Sequence, residues 1–429
     1  MNPSADPLPV AFGSYTLFDS IGKGGMAEIF LARARTEIGA GRLCVIKRIL
    51  PEFNRDESFC EMLINEARIC AHLSHANVVK TYELGHIDDQ YYIAMEYVEG
   101  MDLNRLLGVL TKKGIALPVQ FALYIIAEVL KGLDYAHRAG DDRGQPLHII
   151  HRDVSPTNVL ISAEGEVKLC DFGIAKVMVG ELSARDIHLD DAHIKGKIAY
   201  MAPEHVAGGD IDQRADLFAV GILLWELLSG RRLYRSKDPD ETLKRALAAD
   251  IPDVEDAGFP EYEMLTAIVR RALSRDRERR FCNGQEFLRA IEDYLHVVGL
   301  PVSQFRFAEF LASSAGDALA QQHEERESRL AQLGKNEGTS TGPIDTAEGL
   351  VDRFTLSLLQ DVEEAGDDRK SDGAPDLLAE KFERERRGQP LPPVSMVHGD
   401  AVERVLPWLL MALALAAACA LAAQFNGLF

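Results

Sequence analysis

The chain has 429 residues, with 47 Lys and Arg against 67 Asp and Glu, giving a formal net charge of −20. A hydrophobic fraction of 47% supports a large core and 27% charged residues is ordinary, which excludes a wholly disordered chain, a collagen-like fibre and a polytopic membrane protein. The acidity argues against nucleic-acid binding, which relies on Lys and Arg to neutralise phosphates. Cys44, Cys60, Cys70, Cys170, Cys282 and Cys419 include no CxxC pair, so they read as reduced thiols of a cytosolic domain rather than a disulfide or metal framework. Met1 to Val10 carries neither the basic cluster nor the apolar run of a secretory signal.

From Tyr15 to about Glu99, short apolar runs alternate with turn signals: YTLFDSIG, AEIFLARA, LCVIKRIL, VVKTYELGHI and YYIAMEYV. These predict strands of a small sheet. One helix is expected among them, Ser58 to Leu73, with Phe59, Met62, Leu63, Ile69, Cys70 and Leu73 at helical spacing. After Asp102 long helical patterns dominate, such as Val119 to His137 and Ala215 to Ser229. Strands followed by helices predict an α+β fold of two lobes.

Residues 296–335 read as a helical extension of the second lobe. Residues 336–404 are rich in Gly, Asp, Glu, Ser and Pro, and stretches such as EEAGDDRKSDGAPD bury too little apolar surface to offset chain entropy. An acidic, mostly disordered tether is expected there. Val405 to Ala423 is then 19 residues without a charge, close to the roughly 20 that a membrane-spanning helix needs. Trp408 sits near its start, Arg384, Arg386, Arg387 and Arg404 precede it, and no Lys or Arg follows in the short tail 424–429. The expectation is one C-terminal transmembrane helix in the cell membrane, with everything before it cytoplasmic; a buried core helix is the alternative. Its alanines permit the close helix packing of a homodimer.

The chemistry is concentrated in the first 295 residues. IGKGGMAEIF places Gly22, Gly24 and Gly25 between two apolar runs; CVIK ends in Lys47; Glu66 lies on the expected helix. HRDVSPTN (His151 to Asn158), DFG (Asp171 to Gly173) and APE (Ala202 to Glu204) follow. A glycine-rich turn alone is weak evidence, but this ordered set is specific.

On these motifs, residues 15–295 resemble the eukaryotic-like bacterial serine/threonine protein kinases of the membrane-attached type. The resemblance implies a bilobal fold, a strand-rich N-lobe on a helical C-lobe, and Mg²⁺-dependent transfer of the ATP γ-phosphoryl group to Ser or Thr of protein substrates, the chain itself included. It implies that Ile21, Gly22, Lys23, Gly24, Gly25, Met26, Ala27, Ile29, Val45, Lys47, Glu66, Met95, Glu96, Val98, Asp102 and Leu160 form the ATP site. Lys47 would bring a point charge to the phosphates and Glu66 would hold it. Asn158 and Asp171 would be the oxygen ligands for Mg²⁺, a hard cation. Asp153 would orient the acceptor hydroxyl and take its proton. Asp102 is either a ribose contact or a helix N-cap. Asp216 would brace the catalytic loop and Glu204 would pair with Arg280.

Four positions depart from the family pattern. Ala27 replaces the third glycine and Val45 the usual Ala before Lys47's dipeptide. Ser155 stands where a Lys usually contacts the γ-phosphate, and Lys197 where a Thr usually contacts the catalytic Asp. Lys197 is expected either to supply the cation that Ser155 cannot, which adds it to the catalytic set, or to point to solvent. Arg152 before Asp153 matches kinases ordered by a phosphorylated activation segment. Here Ser183 is the only Ser or Thr between Asp171 and Glu204, among the acidic Glu181, Asp186, Asp190 and Asp191. The departures at Ser155 and Lys197 also leave open a catalytically inactive, membrane-anchored scaffold, which the intact Lys47, Glu66, Asp153, Asn158 and Asp171 oppose.

Overall fold

Alternation of apolar side chains builds the first sheet. The structure, a computed structural model, describes residues 8–24, 27–36, 39–51, 53, 60, 64, 70–141, 143–172, 198–234 and 239–337. Strands β1 (Val10–Phe12), β2 (Tyr15–Lys23), β3 (Ala27–Thr36), β4 (Gly39–Ile49), β5 (Thr81–Ile87) and β6 (Gln90–Glu96) form an antiparallel sheet in the order β1-β2-β3-β4-β6-β5. Phe30 and Ala32, Cys44 and Ile46, and Tyr92 and Ala94 alternate onto one face and form a core with Phe12, Tyr15 and Leu17. The period of two sends Ile29, Val45, Lys47, Ile93 and Met95 to the opposite face. Register brings them together: Ile29 pairs with Lys47, Lys47 with Ile93, and Val45 with Met95. The three-residue β1 precedes the expected start of the lobe and lengthens its sheet.

The segment expected as one strand from Val78 divides in two. Only Thr81–Ile87 joins the first sheet. Val78 bridges Leu169 in parallel, Val79 N donates to the Leu169 carbonyl at 2.9 Å, and Leu169 N donates to the Asn77 carbonyl at 2.9 Å. Asn77 Nδ2 adds bonds to Glu128 and to the Val167 carbonyl at 2.7 and 2.9 Å, fastening this segment to the second lobe.

A three-stranded sheet of β7 (Gly100–Asp102), β8 (Val159–Ser162) and β9 (Val167–Leu169) lies in the helical lobe. The helices are α1 (Leu103–Lys113), α2 (Val119–His137), α3 (Pro203–Val206), α4 (Arg214–Ser229), α5 (Pro239–Ala248), α6 (Tyr262–Ala272), α7 (Gly284–Val297) and α8 (Gln304–Glu337). Every residue of α4 from Ala215 to Leu228 is buried. A helix apolar all round belongs in a core, and α4 is the centre of this one. Gly221 lets α6 approach, since a Cβ there would stand 2.9 Å from Ala272 Cβ. α4 stops at Gly230, which takes the left-handed conformation at φ 65°.

Residues 296–335 carry a long helix that runs on from the helical lobe. α8 leaves that lobe and reaches β2, where Leu330 is buried with Phe18 and Leu31. Among the described residues no helix is long and apolar enough to cross a membrane. The expected helix at 405–423, the tail 424–429 and nearly all of the tether lie outside the described residues, as do most of the expected helix from Ser58 and Glu66, Gly25, Met26, Ser183 and Lys197.

Candidate active site

The site begins where β2 turns into β3. Gly22 pairs with Ile29 and Lys23 with Glu28, and Gly24 N donates to the Ala27 carbonyl at 2.8 Å. Ala27, at the third-glycine position, is buried beside Ile49 and Ile93, so its methyl faces the core. Lys23 and Arg48 both pair with Glu28 at 3.0 Å. Burial would raise the Glu28 carboxyl, but these two cations hold it below the usual range. Ile21 stays about half exposed at 48%.

Lys47 projects from β4, and its Nζ lies 2.8 Å from Asp171 Oδ1. That ion pair spans the two lobes and 124 positions of sequence. The linker starts at Met95 and Glu96. Glu96 is held by Lys168 at 2.7 Å and accepts from Lys80 N at 3.1 Å, so its carboxylate ties the end of β6 to β9. Val98 follows, half-buried in the linker. Asp102 accepts from Arg105 N at 2.9 Å, the N-cap of α1. It pairs in register with Leu160, which is half-buried on β8.

The catalytic loop is fixed from below. Asp216, in the first turn of α4, is 1% exposed and accepts from His151 N, Arg152 N and His137 Nε2, each at 2.8 Å. Burial would raise its carboxyl, and the bonds from His137 and His151 more than offset that, holding it below the ordinary range. These bonds hold Arg152 at φ 62°, an unfavourable conformation for a long side chain. Asp153 follows, 9% exposed. Asn158 Nδ2 donates to the Asp153 carbonyl at 2.7 Å and to Asp153 Oδ2 at 2.9 Å. With its amide nitrogen so engaged, the Asn158 side chain keeps its oxygen for another ligand. Ser155 is buried and bonds Thr157 Oγ1 at 3.0 Å, placing no charge beside Asp153.

Asp171 is set by the same loop. Cys170 N donates to the Asn158 carbonyl at 2.9 Å, and His151 Nε2 lies 3.1 Å from the Cys170 carbonyl. The His151 and Phe172 rings sit 4.4 Å apart, and Asp171 takes φ 55°. Burial pushes the Cys170 thiol well above its ordinary range, which disfavours the thiolate. Asn158 and Asp171 together offer the hard oxygen donors that suit Mg²⁺. The pairing of Lys47 with Glu66 lies outside the described residues.

Below the loop, Arg280 reaches Glu204 through two bonds of 2.7 and 2.8 Å, as expected. Glu226 was not singled out in the sequence, although a Glu inside an otherwise apolar helix was a signal. It accepts from Tyr200 OH at 2.7 Å, Arg232 at 2.9 Å and Leu233 N at 3.0 Å, anchoring the segment just before α3. His137 was also missed; only the fold shows that it faces Asp216.

A strand-rich lobe, a helical lobe and acidic, amide and ammonium groups converging between them define a phosphotransfer-type site. The chain belongs to the protein kinase domain family, whose model matches residues 15–289. It is 36% identical over 304 residues to the tyrosine-protein kinase MasK of Myxococcus xanthus, covering 70% of this chain and 46% of that protein. It is 32% identical over 269 residues to the serine/threonine-protein kinase PrkC of Bacillus subtilis, covering 63% of this chain and 38% of that one. The chain thus spans less than half the length of either relative. Among solved structures, the M. tuberculosis PknI kinase domain aligns with a TM-score of 0.51 and 27% identity, over 67% of this chain and 98% of that domain.

Proposed function

We propose that this chain is an active protein serine/threonine kinase that transfers the γ-phosphoryl group of ATP, with Mg²⁺, to hydroxyls of protein substrates and of itself. The observation that carries this reading is the convergence of Asp153, Asn158, Lys47 and Asp171, linked by bonds of 2.9 Å (Asn158 to Asp153) and 2.8 Å (Lys47 to Asp171). Intact chemistry at all four positions opposes the inactive-scaffold reading. Protein kinases use ATP and a divalent metal; the bound ion neutralises charge that develops on the phosphates. Asn158 and Asp171 are the residues that would hold it. Lys47 orients the phosphates, and Asp153 orients the acceptor hydroxyl and accepts its proton. Ile21, Ile29, Val45, Met95 and Leu160 enclose the adenine, with the backbone of Glu96 to Val98 at its edge, and Ala27 closes the phosphate loop. The cap bond of Asp102 leaves one of its carboxylate oxygens for the ribose.

Lys197 supplies the cation that Ser155 does not. Arg152 serves as the anchor for a phosphate on Ser183 or for a neighbouring carboxylate; its Nε is buried without a partner among the described residues. Residues 405–423 anchor the chain in the cell membrane with the kinase domain cytoplasmic, and the alanines there support a homodimer.

A second reading is transfer to tyrosine. It rests on the likeness to the tyrosine-protein kinase of Myxococcus and on Ser155, which removes a Lys typical of serine/threonine enzymes. Labelled ATP with Mg²⁺, followed by acid hydrolysis of the labelled chain, decides between them. Phosphoserine or phosphothreonine supports the leading reading and phosphotyrosine the second. No label, with ATP binding retained, supports the scaffold.

A further inference from the structure

α8 lies beyond the residues matched by the family model, which end at 289, yet it touches both lobes and the linker between them. At roughly 1.5 Å per residue its 34 residues span about 50 Å. Its contacts recur every three or four residues along one face. Phe307 packs against Phe121 and Tyr124 at 5.4 and 5.3 Å. About two to three turns further on, Lys113 bonds Asp317 and the Ser314 carbonyl at 2.6 and 3.0 Å. These contacts fasten the first half to the helical lobe.

The second half is charged, and it meets the linker. Gln322 Nε2 donates to the Gly100 carbonyl at 2.8 Å. Arg326, only 6% exposed, lies 2.6 Å from Glu99 Oε1, and its guanidinium stands 5.8 Å from the Tyr97 ring centre. His323 Nδ1 lies 2.7 Å from the same Glu99 oxygen. Leu330 then enters the small core of Phe18 and Leu31, against which Tyr97 also packs, and Arg329 pairs with Asp19. An arginine with a stem this buried is costly to place unless it is paired, so this contact is specific.

These contacts fall on the linker and β2, the two elements that flank the nucleotide site proposed above. Tyr97 and Glu99 flank Val98 in the linker, and Asp19 lies three residues before Gly22 on β2, which leads into the glycine turn. We propose that α8 belongs to the nucleotide-binding machinery, with Arg326 as a positioning residue that fixes the linker through Tyr97 and Glu99 while Arg329 and Leu330 fix β2. The proposal rests on the ATP-dependent reading above. A kinase cut at the end of the matched region would then keep its catalytic residues and lose affinity for ATP.

The test uses the full chain and two readouts: the Kd of a non-hydrolysable ATP analogue with Mg²⁺, and KM for ATP against kcat. Arg326→Ala is expected to raise Kd and KM by at least about fivefold while kcat at saturating ATP stays within about twofold. Arg326→Lys keeps the charge for Glu99 and is expected to recover part of the loss. Arg329→Ala, a change at a half-exposed residue, is expected to shift Kd in the same direction, whereas Lys113→Ala, which removes the bond from α1 to Asp317 in the first half of α8, is expected to leave it unchanged. Variants that are folded but bind the analogue like wild type, with only Tm lowered, overturn the proposal. If Arg326→Ala does not fold, Arg326→Lys and Arg329→Ala decide by the same Kd measurement. A wild type that binds the analogue but transfers no phosphate sinks the kinase reading and leaves the Kd comparison to decide this one; a wild type that binds none overturns both.

Discussion

Asp216→Asn separates the brace of the catalytic loop from its chemistry. The carboxylate takes three bonds of 2.8 Å, with Oδ1 serving Arg152 N, and Oδ2 serving His151 N and His137 Nε2. An Asn keeps one oxygen. If that oxygen replaces Oδ2, the amide NH₂ faces Arg152 N, and one buried donor loses its partner. If it replaces Oδ1, two do. An unpaired buried donor costs about 1–3 kcal/mol. For a domain of this size each kcal/mol lowers Tm by roughly 2–4 °C, so one lost bond alone lowers Tm by roughly 2–12 °C, less what relaxation of the loop returns. The same bonds hold Arg152 at φ 62°, a conformation that costs about 1–3 kcal/mol and relaxes once released. Asp153 is the next residue, and a displacement of about 1 Å at a reacting group lowers rates by about 10²-fold. The assay is thermal unfolding alongside turnover at saturating ATP and substrate, below the variant's Tm. A lowered Tm with wild-type turnover would refute the claim that Asp216 positions the loop for catalysis.

Arg280→Ala leaves Glu204 without its buried partner and is expected to cost about 3–5 kcal/mol, a Tm loss of roughly 6–20 °C; a loss under about 2 °C would contradict the buried pair. Burial raises the Glu204 carboxyl, but Arg280 more than offsets it, so the folded value lies below the unfolded one, as for Asp216. Their stabilisation is therefore present above the unfolded pKa, near about 4, and is lost as pH falls through the folded values. Tm is expected to drop below about pH 4, less so in Glu204→Gln; a flat Tm from about pH 6 to 3 would refute it. Lys197→Met is expected to lower turnover at least about tenfold, and Ser155→Lys with Lys197→Thr to restore it; an unchanged rate in the single variant removes Lys197 from the catalytic set.

The sheet was legible because its strands are short apolar runs between turn signals: AEIFLARA around Phe30 and Ala32, or LCVIKRIL around Cys44 and Ile46, announce a strand without any knowledge of their partners. β1 was not legible, since three residues carry too little pattern. Val78 and Val79 look like the start of β5, but they pair with β9, and a pairing over that separation leaves no local trace. The site was legible through its motifs, and Glu204 does meet Arg280. Asp102 shows the limit of such reading, because an Asp before a helix reads equally as ligand or cap, and only the 2.9 Å bond to Arg105 N establishes the cap. The docking of α8 was hidden for another reason. Its second half is charged, as a solvent-exposed helix would be, and the linker partners of the buried Arg326 lie more than 200 residues away in sequence.

The most direct test of the whole account is the rate of phosphate incorporation by the full chain beside its Asp153→Asn variant, with Tm measured for both. Loss of the proton acceptor predicts a rate at least about 10²-fold lower at an essentially unchanged Tm. Incorporation within a few-fold of wild type would contradict the assignment of Asp153 as the residue that receives the acceptor's proton.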